Sequence, residues 1–170
     1  MKNSIFIFLF VFSFLTIYYF FPEKKLDTSK PIDRIIVLKS KRKLQVWSGN
    51  IRLKNYTIAL GRQPKGAKHF EGDDKTPEGI YKIDSKNPNS GYYKNLGISY
   101  PSDTDIKYAI QKGKKPGGLI KIHGVKNGKA YIGKFHKCFD WTHGCLALTN
   151  QEIDELYQNV KIGTIIEIKP

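Results

Sequence analysis

Four residues in this chain have the types and spacing to do covalent chemistry: Cys145, preceded by His143 and Gly144, and His123 upstream in Ile122-His123-Gly124. A thiol is a weak nucleophile until a base or a nearby positive charge makes it a thiolate. An imidazole can supply that base. A glycine ahead of the cysteine lets the backbone turn, so that the sulfur and an amide N–H face one substrate carbonyl. Taken singly, His123 reads as a buried, hydrogen-bonded histidine and His143 as an unremarkable loop residue. Together with their neighbouring glycines, in the string Trp141-Thr142-His143-Gly144-Cys145-Leu146, they point to cysteine-based acyl transfer.

The elements that must position these residues are legible in outline. Asp33–Leu38 is a β-branched run, Lys43–Trp47 alternates apolar and polar residues, Gly49-Asn50 marks a hairpin, and Ile51–Leu60 returns as a third strand. Residues 61–75 read as a glycine-rich, charged loop, and Ile80–Ile83 as a further strand. Lys86–Gly91 is punctuated by proline, asparagine and glycine and reads as loop. Asp103–Lys112 has helical character, and Leu119–Ile122 is a strand that delivers His123. Thr149 and Glu152 are spaced as a capping box, and Ile153, Leu156, Tyr157 and Val160 give the helix that follows one apolar face. Thr164–Ile168 closes the chain as a strand. The sum is a mainly β domain with one or two helices, sandwich-like or barrel-like, in a chain of 170 residues that suffices for one domain with a real core.

Ahead of the domain, Ser4–Phe21 is an unbroken apolar run that holds seven of the ten phenylalanines. As helix it would extend about 27 Å, close to the thickness of a bilayer's hydrocarbon. Bulky Tyr18-Tyr19-Phe20-Phe21 offers no small-residue cleavage site, so an uncleaved signal-anchor is expected rather than a removable signal peptide. The expected organisation is a leader over 1–3, an anchor over 4–21, a linker over 22–31 and a catalytic domain over 32–170 lying outside the cytoplasm. A net charge of +14, spread along the chain, suits a polyanionic neighbour such as phospholipid or an acidic wall polymer. No helix-turn-helix, zinc-finger spacing or aromatic ribonucleoprotein motif is present, so nucleic acid is not an expected partner.

The paired motifs Ile122-His123-Gly124 and Thr142-His143-Gly144-Cys145-Leu146 resemble the signature of the L,D-transpeptidases (YkuD-type catalytic domain), and Asp74–Tyr81 resembles that family's Thr-Pro-x-Gly-aromatic segment. The resemblance runs from about Ile32 to Ile168. It implies a β-sandwich of mixed sheets with its site in a cleft. It also implies action on peptidoglycan stem peptides, in which a cysteine attacks the carbonyl ahead of a terminal D-amino acid. The resulting thioester passes to an amine acceptor, or to water in hydrolytic relatives. By position, Cys145 would be the nucleophile and His123 the general base and acid. The carbonyl of Gly124 would orient the imidazole, His143 would shape the site or help stabilise the oxyanion, and the N–H groups of Gly144 and Cys145 would hold the oxyanion. Trp141, Thr142, Tyr92 and His69 are candidate substrate contacts. Two departures stand out. Ala147 replaces the Asn or Arg frequent two residues after the cysteine, and a longer spacer makes residues 127–141 a candidate lip over the cleft.

Other chemistries compete for the same residues. His136, Cys138, His143, Cys145 and His123 could ligate zinc, but ligand pairs one residue apart crowd a tetrahedral ion and no Cys-x-x-Cys occurs. No metal and no organic cofactor is expected. Cys138 and Cys145 could form a disulfide, though a bridge that local would staple little. Glu71, Asp73, Asp74 and Glu78 read as a solvated acidic loop. A non-catalytic wall-binding module fits the basic surface but leaves Cys145 beside His123 unexplained. A sortase-like pairing lacks an arginine after Cys145.

Overall fold

The computed structural model describes residues 2–170. Its order is α1 (Lys2–Phe20), β1 (Arg34–Leu38), β2 (Lys43–Ser48), β3 (Ile51–Thr57), β4 (Gly79–Ser90), β5 (Tyr93–Ile98), α2 (Asp103–Gln111), β6 (Lys121–His123), a 3-10 segment (Ala130–Cys138), β7 (Leu146–Ala147), α3 (Asn150–Asn159) and β8 (Ile165–Lys169). Strands β1 and β2 bury alternate residues, as a half-buried sheet requires, and Ile35, Val37, Leu44 and Val46 are fully enclosed. All eight strands form one sheet in the order β3-β2-β1-β8-β4-β5-β6-β7. The sheet is mixed: β1 with β8 and β6 with β7 run parallel, and the other pairs are antiparallel.

The long strand β4 links the halves, pairing with β8 through Gly79–Lys82 and with β5 from Ile83 onward. Its register slips twice, once between Ile83 and Ser85 and again between Asn87 and Ser90. Bulges of this kind bend a strand and increase its twist. The sheet then nearly closes on itself. Residues just beyond β3 meet β7, where Ala59 and Ala147 exchange backbone hydrogen bonds of 3.1 and 2.9 Å. The core is a single cluster that includes Ile35, Leu44, Leu96, Ile122, Leu146, Ile153, Leu156 and Ile166. The mainly β architecture expected from the resemblance is therefore present. Two sequence expectations needed revision. Asn87–Ser90 extends β4 despite Pro88, and β5 was not foreseen at all.

The expected capping box of α3 is formed: Thr149 accepts from Glu152 N–H, and Glu152 Oε2 accepts from Thr149 N–H at 2.9 Å. Glu152 also binds Lys137 Nζ through both carboxylate oxygens, at 2.7 and 2.6 Å, with both side chains buried. That ion pair ties the 3-10 segment to α3. The other side of the segment receives α1. Tyr19 Oη donates to Tyr131 O at 2.9 Å, Tyr18 and Tyr19 lie 5.7 Å from the Phe135 ring, and Lys134 pairs with Glu23 at 3.2 Å. Gly133 has φ 51°, and a Cβ there would run into the Tyr19 ring at 2.6 Å. Residues 127–141, expected as a lip, are thus a strap packed between α1 and α3.

The apolar run expected to anchor the chain is helical in α1, and its apolar side chains from Ile5 to Phe20 are largely exposed. Among the described residues, no helix is long and apolar enough to cross a membrane. The expected linker packs in part on the domain: Leu26 is buried and its N–H donates to Glu155 Oε1 at 3.3 Å.

Removing one partner of a buried ion pair strands the other charge. Lys137→Met is expected to cost about 3 kcal/mol in a urea melt, and adding Glu152→Gln in the same chain should recover part of that loss. An unchanged urea midpoint for Lys137→Met would contradict the pair's burial.

Candidate functional site

His123 ends β6 and is 5% exposed. Its Nδ1–H donates to the carbonyl of Gly124 at 2.7 Å, because a carbonyl oxygen can only accept. The proton is thereby assigned to Nδ1, and Nε2 is left as the basic nitrogen. Gly124 earns its place by contact: its N–H reaches Tyr92 O and Lys94 O at 3.1 and 3.2 Å, and a Cβ would press on Asn150 Oδ1 at 2.7 Å. Asn150 Oδ1 accepts from Val125 N–H at 2.9 Å, so α3 helps to hold the backbone that follows the histidine.

Cys145 is carried to the same place by register. β6 and β7 pair in parallel with Ile122 opposite Leu146 and His123 opposite Ala147. One step back along both chains, Cys145 lies beside Lys121, on the same face as His123. The sulfur sits on the backbone ahead of the histidine. Its S–H donates to Leu119 O at 3.6 Å, and the Lys121 N–H points at it. The turn that delivers the sulfur demands glycine at 144, where φ is 123° and a Cβ would stand 2.5 Å from Lys75 O. Thr142 knots this turn: its hydroxyl donates to Cys145 O at 2.7 Å and accepts from Gly144 N–H at 3.1 Å.

Cys145, His123, His143, Thr142, Trp141 and Tyr92 all line one cleft of about 540 Å³. Tyr92 and Trp141 enclose the imidazole, with ring centroids 4.7 and 5.7 Å from that of His123. Thr142 is buried, and its side-chain oxygen is spent within the turn. His143 stands exposed at the rim, with Nδ1 2.6 Å from Asp74 Oδ1 and Arg62 3.4 Å from the ring nitrogens. His69 is not brought to the cleft. It packs on Phe70 and Tyr108, with the Tyr108 ring 4.6 Å away.

Several cleft residues lay outside the sequence expectation. Arg62, Asn95, Leu119 and Lys121 all line it. Alternation along β6 could have flagged Lys121, two positions from His123. Asn95 was hidden because β5 was unforeseen. Leu119 is an exposed, non-glycine residue at φ 57° whose carbonyl meets the thiol.

Both cysteines are free. Among the described residues, no three His, Cys, Asp or Glu side chains gather as a metal site. The acidic residues of the 61–78 loop have other partners. Glu78 holds the buried Lys39 ammonium at 2.8 Å, and Asp73 accepts from Lys68 Nζ at 2.8 Å and from the N–H groups of His69, Phe70 and Lys75. Burial would raise the Asp73 carboxyl, but Lys68 and those amides outweigh it and hold it below the usual range.

Burial sets the protonation of the site. It pushes His123 down to about 4, against the opposing hydrogen bond to Gly124. It pushes the Cys145 thiol up, against the Lys121 N–H. Around neutral pH the two are therefore a neutral thiol and a neutral imidazole. His136, buried behind Trp141, is also pushed down to about 4, first by burial and then by Lys137 and His123. Its Nδ1 accepts from Trp141 Nε1 at 3.4 Å, while Nε2 has no partner.

The chain matches the YkuD family, the L,D-transpeptidase catalytic domain, over residues 32–168. It is 33% identical over 110 residues to the provisionally named L,D-transpeptidase YafK of Escherichia coli K12, covering 64% of this chain and 37% of that protein. It is 29% identical over 138 residues to the provisionally named L,D-transpeptidase YqjB of Bacillus subtilis, covering 79% and 69%. Among solved structures, the helical cell shape determining protein Pgp2 of Campylobacter jejuni superposes with a TM-score of 0.61 at 23% identity, covering 83% of this chain and 48% of that one. An L,D-transpeptidase of Xylanimonas cellulosilytica gives 0.53 at 13% identity, covering 86% and 65%. This chain thus spans little more than a third of YafK and about half of Pgp2.

Histidines held neutral by the fold bind protons only when it opens. Stability should be full above about pH 6.5 and fall as pH drops towards 4, by up to about 3 kcal/mol for each of His123 and His136. Melting temperature followed from about pH 7.5 to about pH 4 checks this. His136→Gln should lessen the acid-side decline, and a flat profile would refute the described burial.

Proposed function

The chain belongs to the L,D-transpeptidase (YkuD) catalytic-domain family, and from that premise we propose that it is a cysteine acyltransferase acting on peptidoglycan stem peptides. The observation that carries the proposal is an imidazole fixed in one tautomer by Gly124, sharing a cleft with the Cys145 thiol on the neighbouring strand. Residues 32–170 are the catalytic unit. Cys145 is the nucleophile, and His123 the general base and then acid. Because both start neutral, the proton leaves sulfur for Nε2 as the sulfur attacks the carbonyl. The C–N bond then breaks, the departing amine takes that proton, and a thioester remains. An acceptor amine attacks the thioester, gives its proton to Nε2, and the thiolate leaves to be reprotonated by the imidazolium. The Gly144 N–H already serves Thr142, so the oxyanion falls to the Cys145 N–H.

Two recesses suit a reaction with two substrates. A second one, of about 510 Å³, meets the first at Leu119 and His143 and continues past Gly117 and Gly118. We assign the acyl donor to the first and the acceptor amine to the second. Tyr92 and Trp141 offer faces on which a peptide can lie.

The domain acts outside the cytoplasm, held at the membrane through α1. A helix apolar all round is not stable in water alone, and α1 has this pattern from Ile5 to Phe20. After carbonate extraction the full chain should stay with the membrane fraction, and a chain starting at residue 26 should not. Equal partitioning of the two would remove α1 from this account.

Incubation with disaccharide-tetrapeptide and mass analysis of products tests the reaction. Release of the terminal D-amino acid with a new cross-link supports transpeptidation, and release alone makes water the acceptor. Cys145→Ala should abolish turnover and any carbapenem adduct, whereas Cys138→Ala should keep most activity. An adduct confined to Cys138 would overturn the assignment of the nucleophile.

A further inference from the structure

The lining of the cleft has an uneven charge. Arg62, Lys121 and Lys126 contribute to it, and no carboxylate does. Arg62 is engaged at the rim by Asp74, 3.7 Å away, and by His143. Lys126 is exposed. Lys121 is half-buried, and its ammonium has neither an ion-pair partner nor a hydrogen-bond partner among the described residues.

The sheet register places Lys121 beside the sulfur. β5 and β6 pair with Gly97 opposite Lys121 and Asn95 opposite His123. With the β6–β7 pairing, this gives two cross-strand rows on one face: Gly97, Lys121, Cys145 and then Asn95, His123, Ala147. Cys145 immediately precedes β7 as Lys121 begins β6, and the Lys121 N–H and ammonium both act on the sulfur. Gly97 leaves its own place open, and the side chains of Asp84 and Ser85 fill it. Asp84 accepts from Ser85 Oγ at 2.7 Å and forms no ion pair with Lys121. Asn95 is 3% exposed, belongs to the cleft wall and pairs across the sheet with His123. An amide there has an N–H to offer a group that enters the cleft.

Resting on the reading of this cleft as the donor site, we propose that Lys121 and Asn95 together recognise a free terminal carboxylate on the acyl donor, one residue beyond the bond that Cys145 opens. A peptide bond attacked at Cys145 has the next Cα about 3.8 Å further along the chain, which puts a terminal carboxylate within one side-chain length of the sulfur. An ammonium supplies the charge, and the Asn95 amide supplies a directed N–H. The pair makes the cleft selective for chain ends: an internal peptide bond, or a donor ending in an amide, offers the half-buried ammonium no opposite charge.

Binding to the full chain bearing Cys145→Ala separates this recognition from turnover. The probes are disaccharide-tetrapeptide and the same compound with a C-terminal carboxamide, measured by calorimetry. The free acid is expected to bind at least ~10-fold more tightly, an advantage reduced to within about twofold by Lys121→Met and weakened by Asn95→Leu. Lys121→Arg should keep most of it, which excludes a folding defect, and Lys161→Met, at an exposed lysine away from the cleft, should leave it intact. The preference should also shrink at high salt. An undiminished preference in Lys121→Met, or no preference in the starting protein, overturns the proposal. A preference for the free acid in a protein that turns over neither compound would instead sink the acyl-transfer reading and leave this inference standing.

Discussion

The two-residue pairing of β7 with β6 is the constraint on which the rest of the site depends. It is parallel, it is short, and it alone sets how far Cys145 stands from His123. A slip of one residue would turn the sulfur to the opposite face. The fold guards the register from both sides. Ala147 is fully buried, bonded across to Ala59, while Leu148 N–H reaches back to His123 O at 2.9 Å. Small residues at 59 and 147 let those backbones approach. A polar hold on the backbone after His123 comes from Asn150, whose Oδ1 accepts from Val125 N–H.

Burial then decides what that proximity means. An imidazole between Tyr92 and Trp141 loses the water that would stabilise its charged form, and a desolvated thiol resists becoming an anion. The resting state favoured by this environment is a neutral pair rather than a thiolate beside an imidazolium. In the proposed reaction, charge would separate only as a substrate carbonyl arrives to accept the developing negative charge. The Gly124 carbonyl matters more in this setting than in water. It fixes the tautomer at rest, and in the proposed reaction it would go on accepting the Nδ1–H hydrogen bond of the imidazolium without moving.

How much of this could be read beforehand differs from residue to residue. The meeting of Cys145 and His123 in one cleft, the Gly124 carbonyl against the imidazole and the positive φ at Gly144 were legible because those residue types at that spacing suit such an arrangement. The capping box of α3 and the alternating strands β1 and β2 were legible because local chemistry dictates them. Strand β5 was not. The segment before it, Asn87-Pro88-Asn89-Ser90-Gly91, is punctuated like a loop, yet tertiary pairing keeps most of it extended as the end of β4. With β5 went Asn95. His69 was misplaced for the opposite reason: it shares a loop with Asp74, which does reach the rim, but Asp73 folds that loop so that His69 turns to Tyr108.

The strap over residues 127–141 shows how an insertion can become part of a site. Its C-terminal end brings His136 against Trp141, and Trp141 against the His123 imidazole. Its middle is fixed to α3 by the buried Lys137–Glu152 pair. Its N-terminal half takes the end of α1 on Phe135, at the one place where Gly133 clears space for a tyrosine ring. A wall of the cleft and the exit of the apolar helix are therefore built on one rigid piece of chain. In the proposed membrane-held protein, that shared support would orient the cleft without a separate hinge. The buried Leu26, which pins the intervening segment to the domain, works in the same direction. Compared with a flexible tether, such a support would narrow the orientations open to the cleft and so lessen the orientational cost of meeting substrate.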